Sequence, residues 1–268
     1  MKRPEPRESW PESWKQSYFY DLQEVHGERS NLGYAYAYDN RRCRTLRLIT
    51  EAVPAGARIL DVAAAQGNFA LSLAEMGYEV TWNDLRAELA GYVRLKYESG
   101  TISFAPGNVF ELQFPSLFDA VLITEIIEHV AHPDDFLAKI AWLVRPGGHI
   151  VMTTPNGAYF RNKLPKFSEC SDPSVYETVQ FGSTSEGHIF LLYPEEIRQL
   201  ATGAGLTIDR FDLFTNPLTN GHIKLESLLH LLPRHLVDGL ESISQSLPSP
   251  IARRGLVQMA VRFRRPQN

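Results

Sequence analysis

The chain has 268 residues, 44% of them hydrophobic and 22% charged, a globular balance that excludes a disordered, collagen-like or low-complexity protein. With 27 basic and 31 acidic residues the net charge is -4, so the molecule as a whole offers no electrostatic footprint for nucleic acid. Cys43 and Cys170 are the two cysteines, too few and too far apart for a disulfide framework or a zinc spacing, and the expected compartment is a reducing cytoplasm. MKRPEPRESW carries no apolar run of a secretory signal, and no stretch nears the roughly 20 apolar residues that span a bilayer.

Residues 1–56 form a polar, aromatic segment with Trp10, Trp14, Tyr34, Tyr36 and Tyr38, expected to be a helical lid. Within it the spacing of Leu46, Ile49 and Val53 predicts a helix over 42–53, closed by Pro54 and Gly56. Short apolar runs then alternate with helical stretches. Strands are expected at 57–63, 78–84, 102–108, 118–124 and 149–155, and helices at 69–76, 86–97 and 134–143, with Pro146-Gly147-Gly148 as a turn. Strands apolar on both faces and separated by helices mean a parallel sheet with right-handed crossovers, an α/β doubly wound, Rossmann-like domain spanning 57–268.

Regularity lapses at two insertions. Residues 157–189 read as a long loop or lid, the kind of segment that is usually functional. A helix at 194–204 and a strand at 206–214 follow. Residues 217–250 form the second insertion, in which Leu225, Leu228, Leu232, Leu236 and Leu240 make a stripe broken by Pro233. Two short amphipathic helices are expected there, serving as core packing or a lid in preference to a dimer or membrane contact. An alternating strand at 256–264 closes the chain, with Arg253, Arg254, Arg262, Arg264 and Arg265 and no acid after Glu241; these arginines read as solvated strand-edge charges.

The chemistry concentrates at ILDVAAAQGNF, 59–69. A buried strand ends in Asp61, tiny residues follow, and a helix begins, the place where doubly wound sheets bind ligands. The dinucleotide pattern G-x-G-x-x-G would need glycine where Ala63 and Ala65 stand. The Ala65 methyl occupies the position where a diphosphate meets backbone N–H groups, which counts against NAD(P) and so against an oxidoreductase. Asp84, ending the second strand, is placed to accept from both ribose hydroxyls, to cap the helix over 86–97, or both. At Asn108 the carbonyl can accept from an adenine amino group while Val109 packs on the ring; a plain turn asparagine is the other reading.

The order LDVAAAQGNF, WND, PGNVFEL and FDAVLITEIIEHVAHPDDFLAKIAWLVRPGGHIVMTTPN resembles the class I S-adenosylmethionine (SAM)-dependent methyltransferases, and within them the ubiquinone-biosynthesis O-methyltransferase type. The resemblance covers 57–156 and 187–206, not 1–40 or 217–250. It implies a seven-stranded sheet with a reversed last strand. It implies that Asp61, Ala63, Ala65, Gln66 and Gly67 surround the methionine part of SAM, that Asp84 and Leu85 hold the ribose, that Asn108 and Val109 hold the adenine, and that Glu125 lies at the cofactor. Of the family's D-x-G-x-G-x-G glycines only Gly67 stands here, and Asn108 replaces an acid. Arg41 or Arg42 is a candidate partner for the SAM carboxylate.

A methyl acceptor must be aligned, desolvated and relieved of its proton. Glu125, Glu128 and His129 share one side of a helical turn beyond the fourth strand, and His188 follows the first insertion. Carboxylates with imidazoles suit a divalent cation such as magnesium, and His129 and His188 suit a catalytic base. The group is similar to the E-x-x-E-H, T-P-N and later histidine of small-RNA terminal 2′-O-methyltransferases, here Glu125, Glu128, His129, Thr154-Pro155-Asn156 and His188. His132 reads as a surface turn residue and His149 as structural. The expected activity is methyl transfer to a hydroxyl of a small sugar, polyketide-type or phenolic acceptor, by a protein with no nucleic-acid partner that is a candidate homodimer. RNA-end or protein methylation is the rival within the fold, an NAD(P)-dependent oxidoreductase or a non-catalytic binding protein the rivals outside it.

Overall fold

A computed structural model describes residues 1–180, 187–220 and 226–267. Two helices, α1 (Glu12–Glu24) and α2 (Leu32–Thr50), precede the alternating region. There β1 (Arg58–Val62), α3 (Asn68–Glu75), β2 (Glu79–Trp82), α4 (Leu89–Lys96), β3 (Thr101–Phe104), β4 (Phe118–Thr124), α5 (Pro133–Leu143) and β5 (Val144–Pro155) follow one another. The chain continues through α6 (Pro194–Gly203), β6 (Thr207–Phe214), α7 (Glu226–Leu231), α8 (Arg234–Gln245), α9 (Ser249–Gly255) and β7 (Gln258–Arg264).

Seven strands form one sheet in the order β3-β2-β1-β4-β5-β7-β6. All pairs are parallel except those of β7, which runs antiparallel to β5 and β6. Successive residues of a strand point to opposite faces, so the apolar runs feed two cores. Leu60, Val62, Val121, Ile123, Ile150 and Met152 pack with Phe136, Leu137, Ile140, Ile197 and Leu200 of α5 and α6. Ile59, Ala120, Leu122 and Val151 pack with Leu48, Phe69, Leu71, Leu73 and Val93 of α2, α3 and α4. The strand order reverses between β1 and β4, which opens a crevice beyond their carboxyl ends.

Several elements differ from expectation. Helix α2 begins at Leu32, ten residues before the predicted start at 42, where the Asn31 side chain accepts from the Tyr34 N–H at 3.0 Å. Its inward face includes Tyr36 and Tyr38, which a count of aliphatic residues overlooks. Strand β3 ends at Phe104, not 108, and α4 starts at Leu89, not 86. The Pro146-Gly147-Gly148 turn is absorbed as an irregularity of β5: Phe118 pairs with Val144 and Ala120 already with His149.

Helices α7 and α8 fall on either side of Pro233 as the pattern required, with Leu225 outside the described residues. Of the stripe's described side chains, Leu232 packs against the small cluster of Leu32, Tyr36, Leu229 and Val237, while Leu236 and Leu240 stay outside the core. Helix α8 turns Val237 and Glu241 inward and leaves Leu236 and Leu240 exposed. The Glu241 carboxylate dictates this, accepting from the N–H groups of Thr215 at 2.5 Å and Asn216 at 3.0 Å and from the Thr219 hydroxyl at 3.2 Å. Helix α9 has no counterpart in the sequence reading.

Candidate active site

The loop after β1 is strapped to the end of β2. The Ala64 N–H donates to the Asn83 carbonyl at 2.8 Å, the Ala65 N–H to Asp84 Oδ2 at 2.9 Å, and the Trp82 indole to the Ala65 carbonyl at 3.0 Å. Ala63 (φ 53°), Ala65 (φ 45°) and Gly67 (φ 74°) are all left-handed, the region in which a β-carbon is strained. The torsions of a glycine loop are kept although two glycines are gone. The third cannot go: a β-carbon on Gly67 would lie 2.9 Å from both Val93 methyls.

Asp61 is 1% exposed, and neither carboxylate oxygen has a hydrogen-bond partner among the described residues. Burial, with the charge of nearby Asp84 added, pushes its carboxyl up to about 7; the Ala70 amide opposes this from outside hydrogen-bond geometry. Asp84 is 3% exposed. Besides Ala65 it accepts from the N–H and guanidinium of Arg86, so it caps the turn and not helix α4, which starts later. The Asn83 side chain clamps the Ala105 and Gly107 carbonyls at 2.7 and 2.9 Å, and thereby brings the β3 end to the same crevice. There Val109 is buried and Leu85 exposed. Asn108 serves its own turn: its Oδ1 accepts from the Phe110 N–H and its carbonyl from the Glu111 N–H.

Helix α1 roofs this loop through a buried polar network that the sequence reading missed. Asp21 and Lys96 are both fully buried and 2.5 Å apart. Lys96 also donates to the Gln66 carbonyl at 3.0 Å, and Tyr92 to Asp21 at 2.7 Å. The Asn68 amide donates to Asp21 and Glu24, both at 2.8 Å, and the Gln66 amide to Glu24 at 2.9 Å. Burial draws the Lys96 ammonium below its ordinary range, against the pull of Asp21. Asp21 and Glu24 stand three residues apart, one face of a helix, and that spacing was the available signal.

Beyond β4 the chain makes a strained corner at Glu125 (φ 53°) and a single 3-10 turn, Ile127–His129. Glu128, His129 and His188 each offer a ligand atom within 4.8 Å of the others, and the two imidazoles lie 5.0 Å apart. Glu125, grouped with them from the sequence, instead pairs with Arg41 at 3.0 Å. Glu128 is fully buried; its Oε2 accepts from Thr154 at 3.0 Å while Oε1 has no partner among the described residues. Burial, reinforced by the Glu125 charge, raises the Glu128 carboxyl well above the carboxylate range. Burial lowers His129 and His188, so both rings are neutral near pH 7. Asn156 is turned away, its amide on the Arg253 and Leu256 carbonyls. His132 lies 2.8 Å from Glu177 and His149 3.3 Å from Asp209. Arg42 donates to the Ser72 hydroxyl at 3.2 Å. The buried Tyr38 hydroxyl, Arg41 Nε, Glu125 Oε1 and Thr153 Oγ1 also lack partners among the described residues.

A parallel sheet with a reversed last strand, and a small-residue loop between two acids at its switch point, define a class I methyltransferase. The sequence family described as a methyltransferase domain matches residues 35–210, and the chain belongs to it. It is a SAM-dependent enzyme of the same group as the ubiquinone-biosynthesis O-methyltransferases. The relative from Aromatoleum aromaticum is 31% identical over 170 residues, 62% of this chain and 70% of that protein. That from Xanthomonas axonopodis is 38% identical over 107 residues, 38% of this chain and 45% of that protein, so the chain spans under half of this second relative. Among solved structures, the N-methyltransferase NodS of Bradyrhizobium japonicum with S-adenosyl-L-homocysteine (SAH) aligns with a TM-score of 0.54 at 16% identity, covering 96% of this chain and all of that one. The [4+2]-cyclase SpnF aligns at 0.56 and 16%, covering 96% and 97%. These two show the fold. No described helix is long and apolar enough to cross a membrane.

Proposed function

We propose that the protein transfers the methyl group of SAM to a hydroxyl of a small molecule of the sugar, polyketide or phenol kind. The convergence of Glu128, His129 and His188 at the end of β4 carries the reading, because it sets two neutral imidazoles and a carboxyl group beside the crevice of Asp61 and Asp84. Asp61, Ala63, Ala65, Gln66 and Gly67 would face the methionine part, Asp84 and Leu85 the ribose, Asn108 and Val109 the adenine. Arg41, held above its ordinary range by Glu125 and Glu24 in spite of burial, is the nearer candidate for the cofactor carboxylate. In the step itself the acceptor O–H proton passes to an imidazole nitrogen and the oxygen attacks the sulfonium methyl in line. The carbon–sulfur bond breaks with its electron pair left on sulfur, giving SAH.

The orphaned Glu128 Oε1 and two neutral imidazoles fit a divalent cation, which when bound would occupy the imidazole lone pairs and replace the imidazole base, lowering the acceptor hydroxyl's pKa so that its proton leaves to solvent. Two nitrogen donors and one oxygen favour a transition ion over magnesium. Helices α1 and α2 and the described parts of the insertions at 157–189 and 217–250 would wall the acceptor pocket. Exposed, free Cys43 accords with a cytoplasmic location. Calorimetry with SAH, and methylation of a catechol-type acceptor with and without chelator, test the reading; absence of SAH binding refutes it. RNA-end methylation shares the histidine and carboxylate group but is opposed by the net charge of -4; a steep salt dependence of RNA binding would revive it.

A further inference from the structure

A cavity lies away from the crevice. It has a volume of about 540 Å³, within the range of small-molecule pockets, and borders β6, the far edge of the sheet. Four strand spacings separate β6 from β1, roughly 19 Å at 4.8 Å each. Four arginines from four elements line it, Arg44 of α2, Arg198 of α6, Arg210 of β6 and Arg253 of α9, against two acids, Asp212 and Glu195.

The acids leave the arginines in excess. Asp212 is shared by Arg44 at 3.0 Å and Arg210 at 2.9 Å. Glu195 is taken by Arg253, both oxygens at 2.6 Å from one guanidinium nitrogen. Arg198 has no acid partner among the described residues; it lies over the Phe211 ring with its guanidinium carbon 5.1 Å from the centroid. Four positive charges against two negative leave two uncompensated in one concavity. Guanidinium groups fixed by neighbouring contacts are suited to planar, bidentate recognition of oxyanions.

We propose that this cavity is an anion-binding site for a small molecule bearing a phosphate or a pair of carboxylates, distinct from the methyl-transfer crevice. Arg198 and Arg210 supply its donors, and Arg44, held by Asp212 and Gln245, is its rigid floor. Titration calorimetry with inorganic phosphate and, in a separate arm, citrate, at ionic strength matched with chloride, tests it. Saturable binding of either anion with one site per chain is expected, its identity deciding between phosphate and carboxylate chemistry. Arg198→Gln and Arg210→Gln, both at solvent-accessible positions, should each weaken it about tenfold with SAH affinity unchanged. Saturating SAH should leave the anion affinity unchanged. No saturable heat with either anion, wild-type affinity in both variants, or displacement of the anion by SAH overturns the proposal.

Discussion

Replacing Asp61 by Asn is expected to stabilise the folded protein and cost it its cofactor. The carboxyl has no hydrogen-bond partner among the described residues and titrates at about 7, against 3.8 in the unfolded chain. A raised carboxyl pKa means that the folded state keeps a proton that the unfolded state has shed. The penalty is therefore absent below pH 4, grows between pH 4 and 7, and is complete above 7. Roughly three pH units at 1.36 kcal/mol each come to about 4 kcal/mol. At about 2 °C per kcal/mol for a chain of this size, Asp61→Asn should melt about 8 °C higher than wild type at pH 8 but only about 2 °C higher at pH 4.5, where roughly 1 kcal/mol of the penalty is present. Thermal or urea unfolding at the two pH values reads this directly. SAH affinity, if it needs the ionised carboxylate, should rise about tenfold per pH unit between 5 and 7 in wild type and stay flat and weak in the variant. A melting difference equal at both pH values would refute the argument, because an uncharged buried group leaves no such signature.

Ala63→Gly and Ala65→Gly should be neutral or stabilise by up to about 1 kcal/mol in urea unfolding, where glycine at an ordinary position costs that much. Gly67→Ala should lose about 2–3 kcal/mol, since its β-carbon meets both Val93 methyls at a left-handed residue, and should weaken SAH binding in calorimetry. Lys96→Met leaves Asp21 buried and unpaired and should cost about 3–5 kcal/mol, much of it recovered in the Lys96→Met, Asp21→Asn double variant; a double-mutant cycle in urea measures the recovery. Glu128→Gln should leave SAH affinity near wild type while lowering kcat at least tenfold, as steady-state methylation assays would report.

Much of the scaffold was legible because a parallel sheet writes itself as apolar runs. Arg58–Val62 and Phe118–Thr124 are buried on both faces and could belong to little else. The small-residue loop was legible for a subtler reason: alanine, next to glycine in size, keeps the loop's lining small although the left-handed torsions of Ala63 and Ala65 strain its β-carbon. The N-terminal half of α2 was not, because tyrosines and small residues form most of its inner surface. Nor was the orientation of α8, where one buried carboxylate, Glu241, overrides a leucine stripe. At the site, Glu128 and His129 were named from spacing and His188 from its place after the first insertion and the resemblance, and the three do meet, but Glu125 does not join them: a corner with φ 53° directs it to Arg41, and no sequence pattern reports that torsion.

The network under α1 also bears on where this enzyme can be cut. A fragment starting at residue 57 would contain every strand, yet it would leave the Lys96 ammonium inside the protein without its counter-ion and strip the Gln66 and Asn68 amides of their acceptors. The first two dozen residues are thus structural masonry for the cofactor loop, and a shortened version trimmed to the alternating region should come out insoluble.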